Sequence, residues 1–349
     1  MAHNTHSTCL KFMLTLSFLL LCLFAKSQYN FSGVDALLTA NQKTLGKDVV
    51  AVIYKDGKII YQKGLGDFTI KSQAPIASSS KWLTAALVMT FVDEGKISLD
   101  DKVSTYLPIY ATYGKSYITL RNCLCHETGI TDKSRSVVKF LAQHKFESLE
   151  EEVNSFAKKE IAANPGTTFF YGDIGLNIAA RVLEVVSKKN FGILMKQRIL
   201  TPLNMKHSTF DSDADALNPS LGATSTAGDY INFLSMILNK GMFNGKRILS
   251  EAAVEKMQTV QTLNVPKKYS PKGSEGLEYG LGEWIEQADE KGNSTVISCP
   301  SLFGTYPFID RCSGYAAIIF ARSLISEQKK DVYSGIKKAI DEQIGGSCN

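Results

Sequence analysis

Histidine is scarce in this chain: 349 residues hold five, at positions 3, 6, 126, 144 and 207. No serine sits in a Gly-x-Ser-x-Gly elbow, so a Ser-His-Asp hydrolase of that kind is poorly supported. There is no basic stripe with interleaved aromatics, and the net charge of +5 is spread along the chain, which speaks against nucleic acid as a partner. Repeats, low-complexity tracts and linkers are also missing. The one long apolar run, Phe12 to Phe24, falls short of the roughly 20 residues that a membrane helix needs.

That run follows Lys11 and precedes Ala25-Lys26-Ser27, which offers small residues at the two positions a signal peptidase reads. Residues 1–27 therefore read as a cleaved signal peptide. Cys22 follows Leu21 rather than a small residue, so no lipid anchor is expected, and the mature protein should be secreted or periplasmic. Export places Cys123, Cys125, Cys299, Cys312 and Cys348 in an oxidising compartment. Cys299 and Cys312 flank a strand and turn and are expected to bridge. Cys123-Leu124-Cys125-His126 admits a metal reading, but side chains two apart on a helix face away from each other. A packed helix end is the preferred account, and no metal or cofactor is assigned.

Hydrophobic residues make up 44% of the chain, ample for a core. Val34 to Lys43 reads as a helix. Val49 to Tyr54 and Ile59 to Tyr61 read as strands joined through Asp56-Gly57, a favoured hairpin turn. Helices then dominate from about Ile97 to Met205, with a capping box at Ser148-Leu149-Glu150-Glu151 and a periodic apolar helix from Asp173 to Lys188. Thr226 to Leu238 continues the helical pattern. Strand signals return at Tyr279 to Trp284, Thr295 to Cys299, Phe303 to Asp310 and Tyr315 to Ala321, before a last helix from Val332 to Gln343. The order implies an α/β fold of the α+β type, one sheet built from both ends of the chain with a helical domain inserted. The expected divisions are 28–96 with 206–349 for the sheet domain and 97–205 for the helical one.

The most informative stretch is Ser78-Ser79-Ser80-Lys81. A serine and a lysine at i and i+3 share a helix face, and a neutral lysine can take the serine proton. Ser136 with Lys139, Ser155 with Lys158, Ser326 with Lys329 and Ser334 with Lys337 repeat the spacing and read as solvated faces. Only Ser78 opens a helix, Trp82 to Val92, that is apolar nearly all round and hence buried. Burial favours the neutral amine, so activity is expected to rise with pH through roughly 7 to 8. Tyr171 has two readings: a core aromatic, or a proton shuttle held partly ionised by the lysine.

Beyond Ser-x-x-Lys the chain carries Ile118-Thr119-Leu120-Arg121-Asn122-Cys123-Leu124-Cys125-His126-Glu127-Thr128-Gly129-Ile130, then Pro202-Leu203-Asn204-Met205, Ser225-Thr226-Ala227-Gly228-Asp229 and Gly245-Lys246-Arg247-Ile248-Leu249-Ser250. In this ordered set it resembles the penicillin-recognising serine hydrolases, in the branch of class C β-lactamases and D-alanyl-D-alanine carboxypeptidases that also contains esterases. The resemblance implies a helix-covered antiparallel sheet beside an all-helical domain, and an acyl-enzyme on Ser78.

Two departures bear on substrate. The second motif of that family, Tyr-x-Asn, reads Tyr171-Gly172-Asp173 here. An ionised aspartate can only accept hydrogen bonds, so Asp173 either caps the next helix or alters substrate choice. In the third motif Cys299-Pro300-Ser301 stands where a lysine or histidine is usual, which removes the cation for a substrate carboxylate. The backbone N–H groups of Ser78 and Ser301 are the expected oxyanion hole. The leading reading is an exported, monomeric serine hydrolase with Ser78, Lys81 and Tyr171 as catalytic residues and Asp173, Cys299 and Ser301 binding substrate. That substrate is a small ester or amide, with a peptidoglycan-derived peptide as one possibility and β-lactams poorly used. The competing reading is a non-catalytic binding protein that keeps the cleft.

Overall fold

The computed structural model describes residues 29–131, 146–210, 216–323 and 329–346. The expected signal peptide, Ser136 with Lys139, Ser326, His144 and Cys348 lie outside the described residues.

Asp48–Lys55 (β1) and Lys58–Leu65 (β2) form the expected hairpin. Asp56 and Gly57 both have positive φ, 49° and 80°, the conformation that a two-residue turn matched to strand twist requires. Near the other end of the chain come Glu278–Tyr279 (β3), Trp284–Ala288 (β4), Ser294–Ser298 (β5), Tyr306–Asp310 (β6) and Tyr315–Arg322 (β7). They join in the order β2-β1-β7-β6-β5-β4-β3. Every pairing in this sheet is antiparallel, and β1 lies beside β7 with Val52 opposite Ile318. The first and last strands of this sheet are thus neighbours inside it, one strand in from the β2 edge.

Side chains alternate across a strand, and here both faces are covered. Val50, Val52, Ile318 and Phe320 enter the main core, while Val49, Ala51, Ile53, Ala317 and Ile319 enter a second core on the opposite face. That second core is closed by Ser32–Ala40 (α1) and Lys330–Ile344 (α6), which present Val34, Leu38, Tyr333, Ile336 and Ile340. The main core is built around Ser80–Asp93 (α2), buried from Ser80 through Phe91. Leu149–Lys158 (α3), Ile174–Ser187 (α4) and Ala227–Leu238 (α5) pack around it. Gly95, with φ 65°, ends α2 as its sequence position suggests.

Four local expectations need correction. Tyr279 to Trp284 is two strands joined by a turn in which the Gly280 N–H donates to the Glu283 carbonyl at 2.9 Å. At Gly282 (φ 85°) a Cβ would stand 2.4 Å from Ala85 Cβ and 3.0 Å from the Lys81 carbonyl, so the turn can press against α2 only without a side chain. At the start of α3, Ser148 caps Glu151 N–H, but the Glu151 carboxylate returns to the N–H of Glu147 rather than of Ser148. Lys337 is buried between Asp310 and Asp341, at 2.6 and 2.8 Å, not on a solvated face. Finally, Cys312 is disulfide-bonded but not to Cys299, whose thiol is free and buried. The Cys299 side chain turns into the core, while Cys312 lies in the turn after β6.

The turn before β4 leaves Glu283 fully buried, with the Trp82 indole beside its carboxyl. Burial pushes its pKa from 4.5 up to about 8. A raised carboxyl favours the fold while protonated, so its contribution is whole below pH 4.5 and is lost as pH rises through about 8. The loss amounts to on the order of 5 kcal/mol. Glu283→Gln cannot ionise and should lose at least about 2 kcal/mol less stability than the parent between pH 5 and pH 9. Urea denaturation at the two pH values measures this; equal losses in both proteins would contradict it.

Candidate active site

Ser78 lies half-buried in the 3-10 turn Ala77–Ser79 that leads into α2. The turn is pinned on both sides. Ala74–Pro75 pairs with Thr224–Ser225, and the Ile76 N–H donates to the Ala223 carbonyl at 2.9 Å. Behind it, Ser80 Oγ accepts from the Ala223 N–H at 3.0 Å and Thr84 Oγ1 donates to the Pro219 carbonyl at 2.6 Å. Ala77 is held at φ 38°, left-handed backbone that costs a non-glycine residue of order 1 to 3 kcal/mol. The surrounding bonds hold that strain immediately before Ser78.

Lys81 follows one turn later with no exposed surface. Its Nζ donates to Asp173 Oδ1 at 2.9 Å and to the Ser220 carbonyl at 3.3 Å, and stands 5.0 Å from the centre of the Tyr171 ring. Burial pulls the lysine pKa down. The charges of Asp173 and Tyr171 and the Asp173 hydrogen bond outweigh it, and the net shift is upward. Lys81 is therefore an ammonium at neutral pH, contrary to the neutral base expected. Asp173 occupies the N-cap position of α4 but makes no capping hydrogen bond; its carboxylate is committed to Lys81 instead.

Tyr171 follows Phe169–Phe170, a short strand paired with Lys267–Tyr269, and its N–H donates to the Tyr269 carbonyl at 3.1 Å. The hydroxyl lies near enough to the Ser78 side chain for the serine to lower the phenol's pKa. His126, Trp284 and Tyr279 wall the ring at 4.7, 5.1 and 6.0 Å between centres. Burial raises the phenol, Lys81 and Ser78 lower it, and the result is about 12. Tyr171 is thus a neutral phenol in the resting site, not partly ionised. His126 donates to or accepts from Tyr279 Oη at 3.1 Å; burial and the Lys81 charge hold its pKa well below the usual histidine range, so it packs as a neutral ring.

The third-motif strand runs close behind the nucleophile. Pro307 has no N–H for the Cys299 carbonyl across the ladder, and Ser79 Oγ donates to that carbonyl at 2.7 Å. Cys299 Sγ lies 3.3 Å from the Ser78 carbonyl and 3.7 Å from that of Gly282. Burial pushes this thiol up to about 12, so it is neutral and faces the core. The Ser301 N–H, expected in the oxyanion hole, already donates to the Thr305 carbonyl at 2.8 Å. Pro300 offers no donor, and among the described residues the next amide, Leu302, makes no hydrogen bond.

Ser78, Lys81, Tyr171 and Asp173 thus come together, while Cys299 and Ser301 lie behind and beside them. Sequence reasoning missed Ser220, whose carbonyl is the second acceptor for Lys81. A backbone group 139 residues away leaves no signal in a local motif. Cys123 and Cys125, expected at a packed helix end, are buried free thiols on and just after the short helix Leu120–Leu124.

Two outcomes follow from this geometry. Without the Asp173 charge, burial would lower Lys81 unopposed, so Asp173→Asn should move the alkaline limb of Ser78 reactivity down by about one pH unit or more. An unchanged pH profile would show that Asp173 does not govern the lysine. Cys299 should resist alkylation in the native protein and react only after denaturation, which peptide mapping under non-reducing conditions checks; a disulfide at Cys299 would contradict the arrangement.

The Beta-lactamase family model matches residues 35–336. A candidate β-lactamase from Bacteroides dorei DSM 17855 superposes with a TM-score of 0.80 at 29% identity, covering 90% of this chain and 99% of that one. EstCE1, a hydrolase with promiscuous acyltransferase activity, shares the fold with a TM-score of 0.72 at 17% identity, over 88% of this chain and 97% of its own. Among curated proteins, the teichoic acid D-alanine hydrolase of Staphylococcus aureus (strain MRSA252) is 28% identical over 177 residues, 48% of this chain. The match spans 42% of that relative's length. No helix among the described residues is long and apolar enough to cross a membrane. With a matching family model across most of its length and the same β-lactamase-type architecture, the chain belongs to the Beta-lactamase family of hydrolases.

Proposed function

We propose that this protein is an exported serine hydrolase that cleaves an ester through an acyl-enzyme on Ser78. The observation that carries the reading is the convergence on Ser78 of the buried Lys81–Asp173 pair, at 2.9 Å, with the Tyr171 ring 5.0 Å from the Lys81 amine. Ser78 Oγ attacks the ester carbonyl as its proton passes to Tyr171. Tyr171, already protonated, gives its own phenol proton to Lys81 in the same step, and Lys81 hands one of its ammonium protons to the Asp173 carboxylate, 2.9 Å away, so that the tyrosine and the lysine end with their charges unchanged. Reversal of the transfers protonates the departing alkoxide. Water then repeats the sequence on the acyl-enzyme. In this scheme Tyr171 is the shuttle, Lys81 the charged conduit and Asp173 the far acceptor.

The oxyanion is received by the Ser78 N–H and, with Ser301 committed to Thr305, by the N–H of Leu302. Such donors contribute on the order of 3 kcal/mol each when aimed at the developing charge.

Substrate choice follows from charge. The strand position at Cys299 holds a buried neutral thiol, so no cation there meets a carboxylate, and the ion pair beside Ser78 sums to zero. Penicillins, cephalosporins and D-alanyl-D-alanine peptides all carry a carboxylate near the scissile bond. A D-alanyl ester carries none, and the staphylococcal relative is named as a teichoic acid D-alanine hydrolase. We therefore place carboxylate-free acyl esters, D-alanyl esters among them, ahead of peptides and β-lactams.

A fluorophosphonate should label the mature protein, and Ser78→Ala should abolish the label; an adduct mapped elsewhere would overturn the reading. Tyr171→Phe should slow turnover of a short aryl ester by about 100-fold. Cephalosporin turnover should fall roughly 10- to 100-fold below that of the ester, because losing a charge-assisted contact costs roughly 1.5 to 3 kcal/mol. Efficient cephalosporin hydrolysis would defeat the assignment of substrate.

A further inference from the structure

One carboxyl stands outside the reaction just described yet is bonded into it. Glu152, half-buried on α3, accepts from Asn177 Nδ2 through Oε2 at 3.0 Å. Asn177, fully buried on α4, accepts the Ser220 N–H through Oδ1 at 3.1 Å. Ser220 Oγ donates to the Asp173 carbonyl at 2.8 Å, and the Ser220 carbonyl accepts from Lys81 Nζ at 3.3 Å. A single hydrogen-bonded chain therefore runs from Glu152 through Asn177 and Ser220 to the lysine and to the backbone of Asp173.

The direction of each bond matters. An ionised carboxylate can only accept, so it fixes the Asn177 amide with nitrogen toward Glu152 and oxygen toward Ser220. A protonated carboxyl or a glutamine side chain can also donate, and then either orientation of the Asn177 amide finds a partner. In the reversed orientation an NH2 group faces the Ser220 N–H, donor against donor; the link to Asn177 is lost and the Ser220 N–H is left with Asn218 Oδ1 alone, at 3.0 Å.

We propose that Glu152 is a positioning residue for Lys81, whose ionised carboxylate orients Asn177 and through it the Ser220 carbonyl that holds the amine. The inference rests on the acyl-enzyme reading of Ser78. Asp173 faces Glu152 from the start of α4 and Lys159 from the end of its own helix. Arg181 on α4 is engaged by Glu150 and Glu184. Lys115 and Tyr110 reach the Ala157 and Val153 carbonyls of α3. Burial raises Glu152, the Asn177 bond lowers it, Asp173 raises it and Lys159 lowers it, with a result of about 7. The two forms therefore exchange near neutral pH.

The test is the second-order rate of fluorophosphonate labelling at Ser78 from pH 5 to pH 9, in the mature protein and its Glu152→Gln and Glu152→Ala variants. The glutamine mimics the neutral acid. Its rate should equal that of the wild type at pH 5.5 and fall about fivefold below it at pH 8.5, so that the ratio of the two turns over near pH 7. Glu152→Ala should be at least about fivefold slower than wild type at pH 8.5. In aryl ester hydrolysis its KM should be unchanged, because Glu152 touches no substrate. A ratio of wild type to Glu152→Gln that does not vary with pH overturns the proposal, as does a Glu152→Ala rate within twofold of wild type. If the alanine variant does not fold, the glutamine ratio decides alone. Wild-type protein that fails to label at Ser78 would overturn the acyl-enzyme reading and this inference with it; a labelled wild type with unaltered variants overturns the inference only.

Discussion

The site depends on one constraint: an ammonium with no exposed surface must be answered by a charge. Removing a lysine from water costs several kcal/mol even after the surroundings relax, and leaving it unpaired costs 3 to 5 kcal/mol more than a matched pair. Asp173 supplies that charge at 2.9 Å. An asparagine there would satisfy a hydrogen bond but not the charge, and the lysine would then settle by losing its proton. The aspartate thus decides the protonation state of Lys81 and, through it, where the serine proton can go. The same constraint accounts for the tight stitching of residues 219–223 to α2. Ser80, Lys81 and Thr84 each bond that segment, so the second lysine acceptor cannot drift.

The sheet and most helices were legible in sequence because their signals are local. Val49 to Tyr54 and Tyr315 to Ala321 are near-continuous apolar runs, as strands covered on both faces require, and Asp56-Gly57 names its own turn. Ser78 was legible for the same reason, since the absence of charge between Lys81 and Asp93 marks a buried helix. What escaped depends on contacts distant in sequence. The partner of Lys81 lies 92 residues away, so Asp173 next to a helix start was read as a possible cap. The lysine was read as neutral because burial was visible and its counter-charge was not. Cys299 was paired with Cys312 by proximity in the chain, whereas its thiol turns toward the Ser78 carbonyl. Gly282 broke a predicted strand through its contact with α2, which no local pattern reports.

The second-layer carboxyls show the cost of building such a site. Glu283 and Glu152 both sit where burial raises their pKa, to about 8 and about 7, yet they are held differently. Glu283 has only the Trp82 indole beside it, and burial outweighs that donor and favours the neutral acid. Glu152 has a donor in Asn177 and lies close enough to Asp173 to feel its charge, so it can ionise near neutral pH and act on the site. One is a stability liability at alkaline pH; the other couples the lysine to the medium.

The Cys299 position explains why restoring a cation there would not by itself restore recognition of carboxylates. A side chain at this point enters a fully buried space bounded by the Ser78 and Gly282 carbonyls, with the Lys81 ammonium nearby. Burial and a like charge both disfavour a second cation, so an imidazole placed there would stay neutral and a lysine would have to displace the strand. The absence of a carboxylate-binding group is therefore a property of how the strand packs behind Ser78, and not of one residue's identity. The strand position at Cys299 and the placing of Ser78 share the same contacts, so a larger side chain at 299 would also move Ser78.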